Sequence, residues 1–356
     1  MELKINSFGK LGSKEILLYT LRNSNGITAK VTNYGGIITS LVVPDKNGIE
    51  EDIVLGYNNF DEYLENDYYL GAIIGRFSNR IAKGKFNIEG TPYLLVTNNN
   101  DNHLHGGKKG FSQAIWKGNS IKSNDFVGVE LSYLSKDMEE GYPGNLEVKV
   151  NYKLTNNNEL KIEYLATTDK TTIVNLTQHS YFNLSGNLKS DILEHQLKIN
   201  ANYFLPINNN SIPLGYKKSV INTPFDFSEF TKIGNHINDV DEQLNFGSGY
   251  DHYFVLNKEN RNLELAAVTF DEKSGRLMEV YTTKPGLQLY TGNFLEASIV
   301  DGKSIGFEKR SGFCLETQYP PDAPNQPDFL SSILLPENRY KETTIFKFST
   351  KQNEAN

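Results

Sequence analysis

Apolar residues recur at every second position along much of the chain, and this period of two limits the possible folds more than any other feature of the sequence. Between residues 146 and 154, leucine, valine and tyrosine alternate with charged and polar residues, and the pattern resumes between 160 and 166 after three consecutive asparagines. Such alternation is typical of strands with one buried and one solvated face. We therefore predict an antiparallel hairpin here. Similar runs at 127–133, 263–282 and 340–348 predict further strands.

Composition supports a fold made almost entirely of strands. The chain has 20 Tyr and 20 Phe but only three Met, and aromatic side chains suit a pleated, half-buried surface. No window shows a sustained period of 3.6 residues, and Gly, Asn and Pro separate the alternating runs. This pattern predicts an all-β fold, either a sandwich or a barrel. Because no linker or repeat interrupts the pattern, we predict a single domain over residues 1–356.

The net charge and the N-terminal sequence indicate which partners and which cellular compartment to expect. The net charge of −7 argues against nucleic acid or an anionic membrane as the main partner. The N-terminal residues lack the pattern of a signal peptide, and no apolar run is long enough to span a bilayer. The single cysteine, Cys314, excludes an internal disulfide. We predict a cytoplasmic protein that binds neither nucleic acid nor membranes.

Two of the six histidines, His103 and His105, lie two positions apart and are followed by two glycines. On a strand these two side chains would point the same way, so both imidazoles could serve one catalytic or metal-binding site. The glycines would let a ligand approach the backbone closely. A polar turn with two exposed histidines would produce the same sequence, and the spacing does not decide between these interpretations.

His179 and Glu316 each lie in a strand-like stretch where a polar side chain is unexpected. His179 is surrounded by Thr, Gln, Ser and Asn, and such density indicates either a ligand site or an internal hydrogen-bond network. Glu316 lies in an apolar run, where a carboxylate is either functional with a raised pKa or faces outward on a half-buried strand. Both pairs of alternatives stay open on the residues alone.

Two further polar groups have a structural explanation and a functional one. Asp251 and His252 follow Gly249 and Tyr250, and turn chemistry accounts for them without any function. Arg80 could bind sugar hydroxyls or a carboxylate through its forked donors, although a surface position is the ordinary one for arginine.

Seven segments, taken together and in this order, resemble the aldose 1-epimerase (galactose mutarotase) family. They are NYGGII at 33–38, GR and NRIA within 75–82, LHGG at 104–107, NLT and HSYFNL within 175–184, YDH at 250–252, QLYTGN at 288–293, and ETQ and PDAPN within 316–325. Each segment alone is a weak signal, but seven in register across nearly the whole chain are a specific match. The chain departs from the family's commoner pattern at Phe77-Ser78 and at Tyr319-Pro320, and the second change could affect sugar preference.

The resemblance implies a large antiparallel β-sandwich that binds a free aldohexose, galactose or glucose, and interconverts its anomers. It implies Glu316 as the catalytic base, His179 as the catalytic acid and His105 as the second histidine of the site. Positions that match the family's substrate-binding residues are Asn79, Arg80, Asp251 and Gln288, and Tyr181 lies in the matched His-Ser-Tyr motif. The implied reaction needs no metal and no cofactor, and the expected assembly is a monomer or a homodimer.

Other functions share some of these residues. Asp251 and Glu316 could form the carboxylate pair of a glycoside-cleaving enzyme. The chain could also bind sugar without catalysis, although a lectin has no need of an acid and a base. A metal on His103 and His105 lacks further thiol or histidine ligands in the matched motifs. An oxygen-ligated cation such as calcium would leave no sequence pattern. Lys108 and Lys109 follow the His105 motif and could contact a sugar phosphate, although lysines are ordinarily solvated at the surface.

Overall fold

A computed structural model describes residues 1–65, 68–300 and 303–351, and these residues form strands joined mostly by turns and loops. The strands are β1 (Glu2–Leu11), β2 (Lys14–Arg22), β3 (Thr28–Thr32), β4 (Ile38–Pro44), β5 (Glu50–Asp52), β6 (Ile73–Ile74), β7 (Arg80–Ile81), β8 (Lys85–Ile88), β9 (Thr91–Leu94), β10 (His103–Leu104), β11 (Lys117–Lys122), β12 (Phe126–Ser135), β13 (Leu146–Thr155), β14 (Glu159–Thr168), β15 (Thr172–Ile173), β16 (Thr177–Gln178), β17 (Gln196–Ile199), β18 (Ala201–Leu205), β19 (Lys218–Ser219), β20 (Thr231–Lys232), β21 (Asp251–Leu256), β22 (Glu264–Phe270), β23 (Arg276–Thr282), β24 (Gly286–Tyr290), β25 (Ser298–Val300), β26 (Lys303–Ile305), β27 (Cys314–Gln318), β28 (Ile333–Leu334) and β29 (Tyr340–Thr350). The helices are α1 (Phe60–Leu64) and α2 (Glu242–Gly247), with single 3₁₀ turns at Ala82–Gly84, Phe111–Gln113, Glu139–Gly141, Ile233–Asn235 and Ala323–Asn325. The predicted all-β class is confirmed.

The largest sheet within the described residues has nine strands in the order β11-β12-β13-β14-β29-β23-β22-β17-β20. All of its neighbouring strands are antiparallel, and the hairpin predicted from the alternation is the pair β13 and β14, in which Val150 lies opposite Tyr164. Buried and more exposed residues alternate along β13 up to Val150, as a strand with one face in the core requires. The runs at 127–133 and 340–348 are β12 and β29.

The alternation predicted for 263–267 is wrong in detail. The register between β22 and β23 shifts between Leu265 and Ala267, so that Ala266 and Ala267 are both buried, whereas Leu263 is exposed. A β-bulge of this kind places an extra residue in one strand and moves the following side chains to the other face. The letters of the sequence carry no signal for the bulge.

A second sheet, in the order β19-β18-β21-β24-β27, carries much of the polar chemistry of the molecule. Its register places Tyr253 opposite Gln288 and Gln288 opposite Glu316, so these three side chains lie in one row on the same face. Another five-stranded sheet, β1 to β5, is formed by the N-terminal residues, whose sequence had given no clear strand prediction.

The three large sheets share one hydrophobic core, as a sandwich requires. The cluster contains Leu21 and Val31 from the N-terminal sheet, Val150 from the nine-stranded sheet, and Leu287 and Leu315 from the sheet that carries Glu316. Each such side chain, fully removed from water, contributes about 1.5–3 kcal/mol to stability. No helix in the described part of the chain is long and apolar enough to cross a membrane.

Candidate active site

One cleft of about 520 Å³ collects most of the residues that the sequence had singled out. Those that line it are Asn79, Arg80, His105, His179, Tyr181, Asp251 and Glu316. The eighth predicted residue, Gln288, is not among the lining residues, and its Nε2 donates a hydrogen bond of 2.7 Å to Oδ1 of Asp251. The structure therefore brings together side chains that are up to about 240 positions apart in sequence, as long-range pairing in an antiparallel sheet does.

One wall of the cleft is the sheet that contains β21, β24 and β27. Glu316 lies on β27, whose five residues are all buried, and its side chain is 2% exposed. The outward-facing alternative for this residue is therefore wrong. Asp251 lies at the start of β21 and is opposite Tyr290, which is in turn opposite Cys314. The ladder thus fixes Asp251 and Glu316 one row apart on the same face.

The opposite wall is formed by β7 and β10 with the residues next to them. The Asn79 backbone N–H donates to Nδ1 of His105 at 3.2 Å, and the His105 N–H donates to the Asn79 carbonyl at 3.1 Å. Both residues have positive φ, 64° and 51°, so the chain turns sharply at each of them. Gly106 follows with φ of 85°, and a Cβ there would lie 1.8 Å from the Gly75 carbonyl oxygen, so no other residue fits.

His179 directly follows β16, and both of its ring nitrogens lie close to side chains of the strand that carries Glu316. Its Nε2 lies 3.5 Å from Oε1 of Glu316, and its Nδ1 lies 3.5 Å from the Sγ of Cys314. Cys314 and Glu316 are two positions apart on β27 and therefore point to the same side. This sulfur contact was not predicted, although the spacing of Cys314 and Glu316 was a possible signal.

Burial disfavours charge on both members of this pair. It raises the pKa of Glu316 well above its usual range, and the nearby negative charge of Asp251 acts in the same direction, whereas Arg80 opposes it. Burial also lowers the pKa of His179 to about 4. The pKa of His105 is lowered well below its usual value, first by burial and then by the positive charges of His179 and Arg80. His105 is therefore neutral at neutral pH.

Arg80 and Asp251 face each other across the cleft at 3.8 Å between Nη1 and Oδ2, with 12% and 11% of their side chains exposed. Asn99 fixes the guanidinium further, because its Oδ1 accepts from Nε of Arg80 at 3.0 Å. Gln288 fixes the carboxylate in the same way on its other oxygen. The pair thus presents one forked donor and one acceptor at set positions, which suits the neighbouring hydroxyls of a sugar.

Aromatic rings surround the imidazoles. Ring centres of Tyr69 and His105 are 4.7 Å apart, and those of Tyr181 and His179 are 5.0 Å apart. Tyr290 lies 6.4 Å from His179, and its hydroxyl accepts from the backbone N–H of Phe294. Tyr69, Tyr290 and Phe294 had no predicted role, although Tyr290 lies inside the matched segment at 288–293.

Further residues that line the cleft come from segments for which the sequence had predicted no functional role. They are Asn99, Asn100, Asn209, Asn210, Ser211, Phe246 and Ser248. Phe246 and Ser248 come from the end of α2, which begins where Asp241 accepts from the backbone N–H groups of Gln243 and Leu244. Asparagine is common in turns for local reasons, so its letters alone do not reveal that a turn borders a site.

Three side chains that could bind a metal lie close together here, since nitrogen or oxygen atoms of His105, His179 and Glu316 lie within 4.8 Å of one another. The hydrogen bonding of His105 does not fit that use. Nδ1 of His105 accepts the Asn79 N–H, so in the neutral ring the proton is on Nε2, which leaves no free lone pair there for a metal. The arrangement makes His105 a neutral hydrogen-bond donor.

Other predicted candidates lie outside the cleft. The two ring nitrogens of His103 lie 2.7 Å from the Val96 carbonyl and 2.6 Å from the Tyr142 hydroxyl, so the hypothesis that His103 and His105 serve one site is wrong. The backbone N–H groups of Lys108 and Lys109 donate to the carboxylate of Glu140, and neither lysine is among the residues that line the cleft.

A buried carboxyl group lies beside a buried imidazole in a polar cleft of an all-β chain, which is the arrangement that acid–base chemistry on a small polar molecule requires. Comparisons with known proteins agree. Residues 17–347 match the family model described as aldose 1-epimerase. A galactose mutarotase of Bos taurus is 42% identical over 339 residues, covering 95% of this chain and 96% of the relative. An aldose 1-epimerase of Escherichia coli strain K12 is 35% identical over 333 residues, covering 93% and 94%.

A solved structure of a galactose 1-epimerase has the same fold as this chain. The crystal structure of galactose 1-epimerase from Lactobacillus acidophilus NCFM superimposes with a TM-score of 0.87 at 29% identity and covers 99% of both chains. The chain belongs to the aldose 1-epimerase family, and the resemblance stated from seven short segments is confirmed.

Proposed function

We propose that this chain interconverts the α and β anomers of a free aldohexose, galactose or glucose, with Glu316 as the base and His179 as the acid. Family membership supports the reaction. The observation that carries the assignment of the residues is the distance of 3.5 Å between Nε2 of His179 and Oε1 of Glu316 in the cleft. Glu316 takes the proton of the C1 hydroxyl while His179 gives a proton to the ring oxygen.

The reaction then follows by bond making and breaking at one carbon. The bond between C1 and the ring oxygen breaks, C1 becomes an aldehyde, and rotation about C1–C2 presents its other face. The former ring oxygen attacks that face, His179 takes back its proton, and Glu316 returns a proton to the oxygen on C1. No hydride moves and the sugar gains or loses no atom. Each positioned acid or base contributes roughly 10²- to 10⁴-fold to such a step.

The shifted pKa values fit the direction of proton movement. Ring opening converts a carboxylate and an imidazolium into a carboxylic acid and a neutral imidazole, and burial favours the uncharged form of both groups. The mechanism requires the pair to share one proton, held on His179 when the ring opens, and the cost of that charged form is recovered as the proton transfer neutralises both groups. Because the two groups interact this closely, they titrate as a pair.

The remaining residues of the cleft orient the sugar and stabilise charge. The Nε2–H of neutral His105 and the guanidinium of Arg80 are donors that favour negative charge as it develops on oxygen. Asp251 is held by Arg80 and Gln288, so its role is to accept hydrogen bonds from sugar hydroxyls rather than to attack carbon. Tyr181 and Asn79 complete the polar and aromatic lining.

The chain acts, in our proposal, as one domain in the cytoplasm, as a monomer or a homodimer. The shared core supports the single domain, because one cluster of buried residues extends from Tyr19 to Phe348. Cell fractionation and sedimentation of the purified protein test the compartment and the assembly.

Polarimetry of freshly dissolved α-D-galactose and α-D-glucose tests the function directly. We expect the purified protein to speed the approach to equilibrium rotation for at least one of the two sugars, while the equilibrium rotation itself stays the same. A nitrophenyl galactoside is the control substrate, because a glycosidase built on Asp251 and Glu316 would release nitrophenol from it. Glycoside cleavage without mutarotation would overturn the proposal.

Removal of metal ions is expected to leave this activity intact. The proposed proton transfers use only side chains, and the hydrogen bond that His105 accepts is unfavourable for a metal ligand. Protein dialysed against EDTA and assayed by polarimetry should match protein dialysed against buffer. A loss that is recovered by adding back a divalent ion would show that the mechanism needs a metal.

Two charge variants should move the acidic side of the pH profile in opposite directions. Glu316 must be a carboxylate to act as a base, so kcat/KM falls as pH falls through the pKa of the Glu316–His179 pair. Burial and then Asp251 raise the pKa of Glu316, whereas Arg80 lowers it. Asp251→Asn should therefore shift the fall of kcat/KM to lower pH, and Arg80→Met should shift it to higher pH. Both variants lose activity at the optimum pH, so the quantity to measure is the pH at which kcat/KM has fallen to half of that variant's own maximum. Shifts in the same direction would contradict the assignment.

A further inference from the structure

Lys284 is a fully buried lysine in the connection between β23 and β24, outside the cleft. Its Nζ donates to the backbone carbonyls of Leu176 and Thr317, the second at 3.2 Å, and lies 4.4 Å from the centre of the Tyr164 ring. Burial lowers the pKa of this ammonium to about 7, and Glu342 acts in the opposite direction. A buried cation is costly, and an apolar side chain of similar size is often as stable or more stable.

The two carbonyls that Lys284 binds belong to the two segments that carry the acid and the base. Leu176 lies three residues before His179, and Thr317 directly follows Glu316. One ammonium therefore joins the segment of the acid to the strand of the base, and it does so from a third segment of the chain.

These two segments are not joined by a strand ladder. Within the described residues β16 pairs with β6, and β27 is the edge strand of its sheet and pairs with β24. The backbone hydrogen bonds that cross between 175–182 and 313–319 in the described part of the chain are those between Phe182 and Phe313.

Side chains make the other contacts between the two segments. The amide of Asn175 bonds both backbone groups of Tyr319, at 2.9 and 3.2 Å. The Oγ1 of Thr177 donates to the Thr317 carbonyl at 2.7 Å, and this is the carbonyl that Lys284 also binds. The separation of Glu316 from His179 therefore depends on side-chain donors, and Lys284 contacts both segments at once.

We propose that Lys284 is a positioning residue, whose contacts with the Leu176 and Thr317 carbonyls set the spacing between His179 and Glu316. The inference rests on the proposed function, in which these two residues are the acid and the base. Proton transfer at two sites of one sugar demands accurate placement, and a misplacement of about 1 Å can cost roughly 10²-fold in rate. A residue that acts through spacing should affect kcat much more than KM.

The test is Lys284→Met, which keeps the apolar stem and removes the donor. We expect kcat to fall roughly 10- to 100-fold while KM changes by less than about two-fold. Arg276→Met is the matched control, because Arg276 is also a buried cation that donates to backbone carbonyls, those of Val43, Leu184 and Ile49, and it does not line the cleft. The control should lower the melting temperature without the loss in kcat. An unchanged kcat in Lys284→Met, or equal kcat losses in both variants, would overturn the proposal.

Lys284→Gln is measured if Lys284→Met does not fold. Glutamine keeps a polar group at the buried site but lacks the ammonium that binds both carbonyls, so kcat should fall at nearly unchanged KM, and an unchanged kcat in folded Lys284→Gln would overturn the proposal. Glu316→Gln is measured in parallel. If Glu316→Gln is active, the assignment of the base fails whatever Lys284 does. If Glu316→Gln is inactive while folded Lys284→Met keeps its full kcat, the inference about Lys284 alone fails.

Discussion

Replacing Glu316 with Gln is expected to lower kcat by roughly 10²- to 10⁴-fold, with a smaller effect on KM. Glutamine keeps the shape of the side chain and its capacity for hydrogen bonds but cannot accept the proton of the C1 hydroxyl. The lost rate corresponds to about 3–5 kcal/mol of transition-state stabilisation. The side chain is 2% exposed, so water cannot readily take over the role of the base.

The measurement is the rate of change in optical rotation of a fresh anomer, with folding checked by circular dichroism. Asp271→Asn is the control, because it also neutralises a buried acid, but one that accepts from the Ser274 backbone and lies outside the cleft. The control should keep kcat close to that of the unmodified protein. If folded Glu316→Gln retains near-normal kcat, Glu316 is not the base, and Asp251 becomes the next candidate because it is the other carboxylate that lines the cleft.

The fold class could be predicted from the sequence because alternation is a local property. The strands over 146–166 were recognisable from neighbouring letters, and β13 and β14 follow them closely. Pairing order is not local in this way. Nothing in the letters of β29 shows that it lies between β14 and β23, because cross-strand packing between distant segments decides that order.

The predicted site residues were found through the family segments, and the structure shows why the residues alone left their roles open. Glu316 looked equally suited to an outward position, and only the register of β27 against β24 places it in the row of Gln288. Gln288 was expected to bind sugar, and the family segment gave no indication that its Nε2 also donates to the carboxylate of Asp251. Tyr69 and the Asn209–Asn210 turn reach the cleft through loop conformation, which short-range patterns do not predict.

Lys284 illustrates a different limit of sequence interpretation. It follows two threonines and precedes Pro285 and Gly286, and a lysine in such a place is ordinarily solvated. Its burial results from the packing of β14, β27 and β29 around it, with Tyr164 and Glu342 among its neighbours. A residue that acts by contacting the backbone of two remote segments leaves no motif, since carbonyl groups are the same in every residue.

Replacing His179 with Asn should also lower kcat by roughly 10²- to 10⁴-fold, because asparagine remains polar but delivers no proton to the ring oxygen. The double variant with Glu316→Gln gives the sharper result. An acid and a base that act in one concerted transfer lose most of their joint effect when either is removed, so the double variant should be much more active than the product of the two single losses predicts. The distance of 3.5 Å between the two side chains is the structural basis for this coupling.

His195→Asn is the matched control, since His195 is buried and accepts from the Leu184 backbone outside the cleft, and we expect it to keep kcat. Polarimetric rates of all four proteins, at equal folded concentration, complete the cycle, and additive losses in the double variant would show that the two residues do not act as a unit.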